Sequence, residues 1–502
     1  MKNPIPLPCV VAVLALGALN AHAQPADLRS IAVSAAVTGT LKAFNGVTGA
    51  PGSGFGDLQS GTAGPDTDVA ADYRAARIDV IRTHDTFGPG DIDAKFGADK
   101  SLPAQIPAER SALDMFPDLS ADVEDPKSYH FEATDRLLAS IEAVHAEPIF
   151  RMGRSIGAAP QPPADLAKYA QIVRHIVLHY NKGWDRGFHY GVRYWEVWNE
   201  PDFKVFWTGT PQQYYELYER MARAIKAADP RALVGGPTIS LPLDASAYRE
   251  RFLDFVRAKN LPLDFFSWHF YTLDSNDPNN FVTIGKEIRR ILDAHGFKAT
   301  QSFLDEWNVD LFDRDMTQAD RAAFAASSLI YMVSAPIDVQ AYYRADTEFR
   351  NGGKGPDQVA HALTAFGMMK ETPVLLHTSG ADDNGFAVLA GRSQDSRKFQ
   401  VLISNYRIAK KYLGPRPNGD HLHIPNIMDI TLPPRRSIAY HDNAGYDLRV
   451  TVPAGQYRIT RYRITDTENF APSQQSVQSG ATVRLQAPLP APGIELIKIE
   501  AR

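Results

Sequence analysis

Residues 194–236 read YWEVWNEPDFKVFWTGTPQQYYELYERMARAIKAADPRALVGG and contain a complete strand–helix–strand unit. A dense apolar run at 194–200 is followed, from Gln212, by apolar residues at helical spacing. Asp229-Pro230 ends this helix because proline has no backbone N–H to donate, and a second apolar run follows at 232–236. Two short apolar runs joined by a helix predict neighbouring parallel strands.

The same alternation extends from about residue 40 to about residue 345 and contains eight short apolar runs. These runs cover residues 41–45, 78–84, 148–152, 194–200, 232–236, 265–271, 302–307 and 339–344. Eight parallel strands with helical crossovers predict an α/β fold, a closed (β/α)8 TIM barrel, because closure removes both sheet edges and the helices cover the outside. We expect the barrel to occupy residues 24–373.

The pattern changes after about Val374, where helical periods give way to alternating strands separated by Gly and Pro turns. This pattern predicts an accessory antiparallel β-sandwich domain over residues 374–502. Residues 24–37 precede the first barrel strand and contain Ile31-Ala-Val-Ser-Ala-Ala. They are also compatible with an edge strand of the sandwich.

The first 23 residues have the form of a cleaved signal peptide. A charge at Lys2 precedes an apolar run at residues 10–19, and Ala21-His22-Ala23 forms the cleavage pattern. The apolar run is shorter than the ~20 residues that span a bilayer. We therefore expect an exported chain, periplasmic or extracellular, with no membrane partner. The one cysteine, Cys9, belongs to this segment, so disulfides and thiolate metal sites are not expected in the mature chain.

The composition excludes a disordered chain, since 44% of the residues are hydrophobic and 22% are charged. Lys and Arg together number 53 against 58 Asp and Glu, a net charge of -5. This balance offers no electrostatic reason to expect a nucleic acid as partner. The oligomeric state is left open.

Carboxylates end two of the predicted barrel strands, at the end of a parallel barrel where reactive residues stand. The fourth run ends in Asn199 and Glu200, and the seventh places Glu306 at its exit. Beside Trp198, in a partly dry mouth, Glu200 is expected to have a raised pKa and to act as a proton donor. Strands four and seven lie on opposing sides of the ring, so Glu306 can attack an acetal carbon from the other side.

Such a pair predicts a glycosidase, with the carboxyl groups ~5 to 5.5 Å apart if configuration is retained. A lone carboxylate at a strand end is more often a helix cap or half of an ion pair. Two Glu on opposing strands, each flanked by Trp and Asn, favour catalysis.

The residues around strand four resemble glycoside hydrolase family 39, the β-xylosidase and α-L-iduronidase family of clan A. The resemblance rests on Trp195-Glu-Val-Trp-Asn-Glu-Pro-Asp, Phe206-Trp207, Tyr214-Tyr-Glu-Leu-Tyr, Asp229-Pro230 and Val234-Gly-Gly-Pro237, and it covers roughly residues 78–345. It implies a retaining hydrolase of oligo- or polysaccharides on a (β/α)8 barrel with an accessory β-sandwich, which needs no metal or cofactor.

The resemblance also implies roles for individual residues. The acid/base falls on Glu200, the nucleophile on Glu306, and Asn199 would contact the sugar 2-hydroxyl. Among substrate-binding residues on other strands, it implies roles for Arg82 and His84 on strand two and for His269 and Tyr271 on strand six. A guanidinium and a phenol that donate to the nucleophile would keep it ionised.

Strand eight departs from the family pattern, since it reads Tyr342-Tyr-Arg-Ala-Asp-Thr-Glu-Phe-Arg. Asp346 aligns with a family Asp, whereas Tyr342 replaces a Trp platform; both are expected at the substrate. Arg350 replaces part of a Glu pair, and strand three adds Arg151 and Arg154 near the mouth. Because guanidinium pairs bidentately with carboxylate, these arginines motivate an alternative, a hydrolase of acidic sugars or exopolysaccharide.

A third alternative is a non-catalytic barrel that only binds carbohydrate. Retention of both Glu200 and Glu306 argues against it, because a binder gains nothing from a desolvated pair of like charges.

Three neighbouring acids have simpler interpretations. Glu196 lies four residues before Glu200 and is expected to be the buried partner of a barrel Arg. Strict alternation along strand seven predicts that Asp305 points to the face opposite Glu306. Asp91-Ile-Asp93 lacks the further ligands of a calcium loop and is interpreted as an ordinary turn.

Overall fold

The computed structural model describes residues 28–502 apart from 53–67, 98–105, 241, 244–246, 311–312, 417–418, 425–427 and 441. The expected signal peptide, residues 1–23, lies outside the described residues. Among the described helices, none combines the length and the apolar character that a membrane crossing requires.

The described part of the chain begins with strand β1 (Arg29–Thr40) and continues with eight parallel strands that close into a barrel in chain order. The barrel strands are β2 (Gly46–Thr48), β3 (Val80–Arg82), β4 (Glu147–Met152), β5 (Tyr194–Val197), β6 (Leu233–Ile239), β7 (Phe265–Tyr271), β8 (Gln301–Asn308) and β9 (Val339–Tyr342).

The α-helices cover the outside of the barrel. They are α1 (Ala70–Ala75), α2 (Glu132–Glu142), α3 (Leu166–Lys182), α4 (Pro211–Ala228), α5 (Tyr248–Ala258), α6 (Asn280–Ala294), α7 (Gln318–Met332), α8 (Ala345–Arg350) and α9 (Gln358–Met368). Short 3-10 turns occupy Ala108–Leu113, Pro126–Ser128, Trp184–Arg186, Asn351–Gly353, Met369–Glu371 and Lys410–Tyr412.

Helix α4 shows how local sequence sets these boundaries. The Thr210 side chain accepts from the backbone N–H of Gln213, and the Gln213 side chain accepts from the backbone N–H of Thr210, forming a capping box. Proline follows as the first helical residue, where its missing N–H costs nothing. The helix ends before Asp229-Pro230, as predicted.

The prediction for the first barrel strand was wrong by several residues. We expected it at 41–45, but β2 begins at Gly46, and Leu41 and Phe44 pack in the hydrophobic core instead. A Cβ on Gly46 would lie 1.9 Å from the carbonyl oxygen of Gln340 on β9, so glycine allows the closing strands to approach. Apolar content alone therefore misplaced the strand.

Side chains fill the barrel in layers because alternate strand residues face inwards. The lowest layer is apolar and contains Val80, Ile149, Tyr194, Phe265, Phe303 and Val339. Two residues further along the strands the interior becomes polar and contains Arg82, Arg151, Glu196, Ser267 and Asp305, all fully buried. The charged groups thus stand directly beneath the open end.

The second sheet is mostly antiparallel and follows the barrel in sequence. Its strands are β10 (Val374–Ser379), β11 (Phe386–Arg392), β12 (Lys398–Asn405), β15 (Gly445–Ile464), β16 (Asn469–Pro488) and β17 (Gly493–Ala501), joined by β1. A separate hairpin pairs β13 (His421–Ile424) with β14 (Met428–Thr431). The predicted fold class, a parallel eight-stranded barrel followed by a largely antiparallel β domain, is confirmed.

Strand β1 has partners on both sides, so it is not an edge strand. It pairs antiparallel with β10 and parallel with the first part of β15. The sheet therefore curls around its own apolar core, which includes Ile31, Val33, Phe399 and Ile497.

The segment between β12 and β15 lies against the barrel loops that follow β7 and β8. The Tyr406 hydroxyl donates to the carbonyl oxygen of Asn276 over 3.0 Å, and the Tyr412 hydroxyl donates to Asp313 over 2.6 Å. These contacts fix the loops next to the end of β8.

Candidate active site

Glu200 reaches the open end of the barrel through a tight turn at the end of β5. Trp198 and Glu200 both have positive φ, 72° and 43°, a conformation that costs of order 1–3 kcal/mol per residue and clusters at functional sites. Backbone hydrogen bonds hold the turn, from Trp198 N–H to Met152 and from Glu200 N–H to Thr238. Glu200 is 6% exposed.

A β-bulge in β8 places two consecutive acids inside the barrel. Trp268 pairs with Leu304 but His269 pairs with Glu306, so Asp305 is the extra residue. Asp305 contacts the interior groups Arg82 and His269, which corrects the prediction that it faces away from Glu306. Strict alternation failed because a bulge adds one residue to one strand.

The bulge and the β5 turn bring Glu200 and Glu306 together across the mouth. One oxygen of each carboxylate and one ring nitrogen of His269 lie within 4.8 Å of one another. Inverting glycosidases place their carboxyl groups ~6.5 to 9.5 Å apart to admit a water, whereas retaining ones place them ~5 to 5.5 Å apart. Carboxylate oxygens within 4.8 Å of each other fit the retaining arrangement.

Both oxygens of Glu306 accept hydrogen bonds from donors of the barrel. The Tyr271 hydroxyl donates to Oε1 over 2.6 Å, and Arg82 Nη1 donates to Oε2 over 2.9 Å. Hydrogen bonds to an ionised oxygen are short and strong, and they favour the charged form. Glu306 is therefore held as an oriented carboxylate.

Arg82 connects three acceptors from inside the barrel and is completely buried. Besides Glu306, it donates to Glu196 over 2.7 Å through Nε and to the side-chain oxygen of Asn199 over 2.7 Å through Nη2. The prediction that Glu196 is the buried partner of a barrel Arg is confirmed. Removing Arg82 would release all three partners at once.

Glu200 has an environment unlike that of Glu306. Its Oε1 lies 2.8 Å from Nδ1 of His269. Burial raises the pKa of Glu200 to about 7, helped by the charge of Glu306 and opposed by His269. Burial lowers the pKa of His269, but Glu306, Asp305 and Glu200 outweigh it and raise that pKa to about 10. Glu200 therefore holds a proton near neutral pH.

Several buried polar atoms of the site have no hydrogen-bond partner within the described part of the chain. They include the amide nitrogen of Asn199 and Nδ1 of His84 at the mouth, and Nε2 of His269 and both oxygens of Asp305 beneath it. Buried polar atoms are nearly always paired, so atoms left over beside a reactive pair mark places for ligand atoms.

Asp85 and Tyr343 also belong to this site, and the sequence reasoning missed both. The Tyr343 hydroxyl donates to Asp85 Oδ2 over 2.8 Å, and Nε2 of His84 lies 3.2 Å from Asp85 Oδ1 and 3.8 Å from Glu306. Burial and the charge of Glu306 raise the pKa of Asp85 to about 6. Its position directly after His84 at a strand exit was the available signal.

The comparisons with known proteins agree with this geometry. The model of the family described as Glycosyl hydrolases family 39 matches residues 121–347, which include Glu200 and Glu306. The solved structure of a glucosidase from Croceicoccus marinus is 34% identical, with a TM-score of 0.82, and the match covers 95% of this chain and 99% of that chain. The chain belongs to glycosyl hydrolase family 39. The resemblance inferred from the sequence is confirmed.

Two proteins with similar sequences are β-xylosidases. The one from Geobacillus stearothermophilus is 32% identical over 229 residues, which is 39% of this chain and 44% of the relative. The one from Caldicellulosiruptor saccharolyticus is 30% identical over 211 residues, 38% of this chain and 41% of the relative. The matched region thus spans less than half the length of either relative.

Two positions that the sequence assigned to the eighth barrel strand, β9, do not reach the site. The Tyr342 ring packs on Trp307, and its hydroxyl lies 3.2 Å from the side-chain oxygen of Asn308 and 3.4 Å from Oε1 of Glu348. Val339 faces the barrel interior, so alternation turns Tyr342 outwards and Tyr343 inwards. The prediction that Tyr342 forms the sugar platform was wrong.

Asp346 is likewise unavailable to a substrate. Arg344 donates to both of its oxygens over 2.6 and 2.5 Å, and Arg350 adds a third contact at 2.6 Å. Burial raises the pKa of Asp346, but the two guanidinium groups outweigh it and hold the pKa below the ordinary value. Asp346 anchors these arginines instead of binding sugar.

The arginines that motivated an acidic substrate are all paired with acids of the barrel. Arg151 contacts Asp91 over 2.7 Å, and Arg154 contacts Asp93 over 3.0 and 2.7 Å. The Asp91-Ile-Asp93 segment, interpreted from the sequence as an ordinary turn, thus supplies the two counter-charges. Arg350 is paired with Asp346, as described above.

Glu200, His269 and Glu306 form the one cluster of metal-ligand side chains found among the described residues. Glu306 already accepts hydrogen bonds from Tyr271 and Arg82, and Oε1 of Glu200 lies 2.8 Å from Nδ1 of His269. A guanidinium 2.9 Å from Glu306 would also repel a second cation. The cluster therefore suits proton transfer and nucleophilic attack better than metal binding.

Proposed function

We propose that the chain is an exported retaining glycoside hydrolase of the β-xylosidase type that cleaves O-glycosidic bonds by double displacement. The observation that carries this proposal is the close approach of Glu200 and Glu306, within 4.8 Å, in contrasting environments. Export is supported by the signal-peptide form of residues 1–23.

In the first step an oxygen of Glu306 attacks the anomeric carbon while Glu200 gives its proton to the departing oxygen. The bond from the anomeric carbon to that oxygen breaks, an alcohol leaves, and the sugar becomes an ester of Glu306. Tyr271 and Arg82 orient the attacking carboxylate through its two oxygens. Burial keeps a proton on Glu200 for this step.

In the second step Glu200 acts as a base. Its carboxylate takes a proton from water, the water oxygen attacks the anomeric carbon, and the ester bond to Glu306 breaks. Two inversions restore the original configuration. Both residues then return to their starting protonation states.

The buried polar atoms left over at the mouth supply sugar contacts. The amide oxygen of Asn199 is held by Arg82, so its nitrogen remains to donate to a hydroxyl next to the anomeric carbon. His84 Nδ1 offers a second contact. Such contacts strengthen in the transition state and add several kcal/mol to catalysis.

The charges at the site favour a neutral sugar over an acidic one. Arg151, Arg154 and Arg350 are each paired with a buried acid. A substrate carboxylate would also meet the acids Asp85 and Glu306 at the mouth. Three of its relatives, two β-xylosidases and a glucosidase, are named for neutral sugars.

Hydrolysis of a panel of aryl β-glycosides tests this function: a xyloside, an arabinoside, a glucoside and a uronide. We expect the xyloside or the glucoside to be cleaved fastest and the uronide slowest. Proton NMR of the early product should show the β anomer first, as retention requires. An initial α anomer, or a preference for the uronide, would contradict the proposal.

A further inference from the structure

Asp305 is an ionised acid inside the barrel that takes no part in the steps above. It is fully buried, and its oxygens lie 3.5 Å from Nε2 of His269 and 3.8 Å from Nε of Arg82. Burial raises the pKa of Asp305, but its contacts with Glu196, Arg82 and His269 outweigh burial and hold the pKa below the ordinary value. A buried carboxylate is costly, so its presence one residue before Glu306 calls for a function.

The ring of His269 lies between Asp305 and the proposed acid/base. Its Nδ1 is 2.8 Å from Glu200, and its Nε2 is 3.5 Å from Asp305. A neutral imidazole donates from one nitrogen only, whereas an imidazolium donates from both. The two carboxyl groups therefore fit the charged form of the ring.

We propose that Asp305 is a positioning residue for the acid/base: it holds His269 as an imidazolium with Nδ1–H directed at Glu200. The inference rests on the hydrolase function proposed above. As the O–H bond of Glu200 breaks and the proton passes to the leaving oxygen, negative charge forms 2.8 Å from this ring. The interaction is stronger in the transition state than in the ground state, so it accelerates the step.

Each group that faces His269 bears on this assignment. The charged and titratable neighbours include Glu200, Glu306, Asp305, Arg82, His84 and Glu196. Glu200 and Glu306 lie on the Nδ1 side, the latter at 3.9 Å, and Asp305 lies on the Nε2 side. Asp305 thus balances the ring charge at the nitrogen that the reacting acids do not contact.

Glu196 provides a matched control, because it is another acid of the same buried layer. It contacts Arg82 over 2.7 Å, as Asp305 does at 3.8 Å, and it also contacts Asp305, but among the described residues no ion pair joins it to His269. Asp305→Asn and Glu196→Gln each replace a carboxyl group by an amide of the same shape. A general effect on the layer should appear in both variants.

The test compares aryl glycosides with poor and good leaving groups. For Asp305→Asn we expect kcat/KM to fall about 10- to 100-fold on a poor leaving group and less than about threefold on a dinitrophenyl glycoside, which needs little protonation. The basic limb of its pH profile should move to higher pH, because Glu200 loses the adjacent cation. Glu196→Gln should lower kcat/KM by a similar factor for both substrates and leave the basic limb of the pH profile in place. Equal losses on both substrates in Asp305→Asn would overturn the inference.

A second measurement is made on the wild-type protein and does not depend on activity. With nitrogen-15-labelled histidine, NMR should show both ring nitrogens of His269 protonated at pH 7, with the signal assigned through its loss in His269→Gln. A neutral ring would refute the role of Asp305. Failure of wild-type protein to hydrolyse any aryl glycoside would refute the hydrolase function instead.

Discussion

The Tyr271 hydroxyl lies 2.6 Å from Oε1 of Glu306, and together with Arg82 it occupies both oxygens of that carboxylate. Tyr342, the last residue of β9, faces away from the barrel interior and contacts Asn308 instead. These two phenols give a matched pair of variants, one that touches the proposed nucleophile and one that does not.

We predict that Tyr271→Phe lowers kcat/KM about 10- to 100-fold, since hydrogen bonds to charged groups contribute about 1.5–3 kcal/mol. Tyr342→Phe should stay within about twofold of wild type. Steady-state kinetics on one aryl glycoside measure both. Equal effects of the two substitutions would show that Tyr271 acts through packing alone.

Glu200→Ala should slow hydrolysis of natural substrates by about 10²- to 10⁴-fold, the usual contribution of general acid catalysis. Aryl glycosides with good leaving groups should retain far more of their rate in the first step, because they need little protonation. Rates on an oligosaccharide and a dinitrophenyl glycoside provide the comparison. Equal loss on both substrates would remove Glu200 from the acid role.

Arg154 is predicted to stabilise the fold without selecting the sugar. Its pairing with Asp93 is buried, and removing one partner of such a pair costs about 3–5 kcal/mol. Arg154→Met should therefore lower the free energy of unfolding in urea while the ratio of kcat/KM for a xyloside and a uronide stays constant. A selective loss on the uronide would restore the acidic-sugar hypothesis.

The raised pKa of Glu200 has a consequence for stability. In the folded protein this pKa is about 7, against an ordinary value of 4.5, so the folded state holds the proton more tightly than the unfolded chain. The contribution of this tighter proton binding to the free energy of unfolding is fully present below pH 4.5 and is lost as the pH rises through 7. Glu200→Gln should therefore be more stable than wild type at pH 8, by up to about 3 kcal/mol. Urea unfolding at pH 5 and pH 8 tests this, and a wild-type protein that gains stability relative to the variant at pH 8 would contradict it.

The fold and the principal acids could be predicted from the sequence because they depend on local pattern. Apolar runs alternate with helical periods, and Glu200 and Glu306 end two of those runs. The positions of Asp305 and Tyr342 depend on which face of a strand is buried. Val339 faces the barrel interior, so simple alternation along the strand would have predicted that Tyr342 faces outwards. The bulge at Asp305 arises from the pairing of two strands, and the local sequence does not indicate it.

The arginines near the mouth were misinterpreted for a related reason. A cation in a sequence is free only if no acid reaches it in the fold. Asp91 and Asp93 lie about 60 residues before Arg151 and Arg154 along the chain, so their pairing follows from the barrel and not from spacing. The charge of the site, and with it the class of sugar, could be read only from the folded arrangement.

The double-displacement mechanism predicts an ester between the sugar and Glu306, and trapping that ester tests it most directly. An aryl 2-deoxy-2-fluoro glycoside with a good leaving group forms the ester but hydrolyses it slowly, because fluorine destabilises the positively charged transition state. Intact-protein mass spectrometry should show one added fluoro-sugar, and peptide mapping should place it on Glu306. A label on Asp305, now known to share the barrel interior, or a protein that turns over without a trapped adduct, would contradict the account.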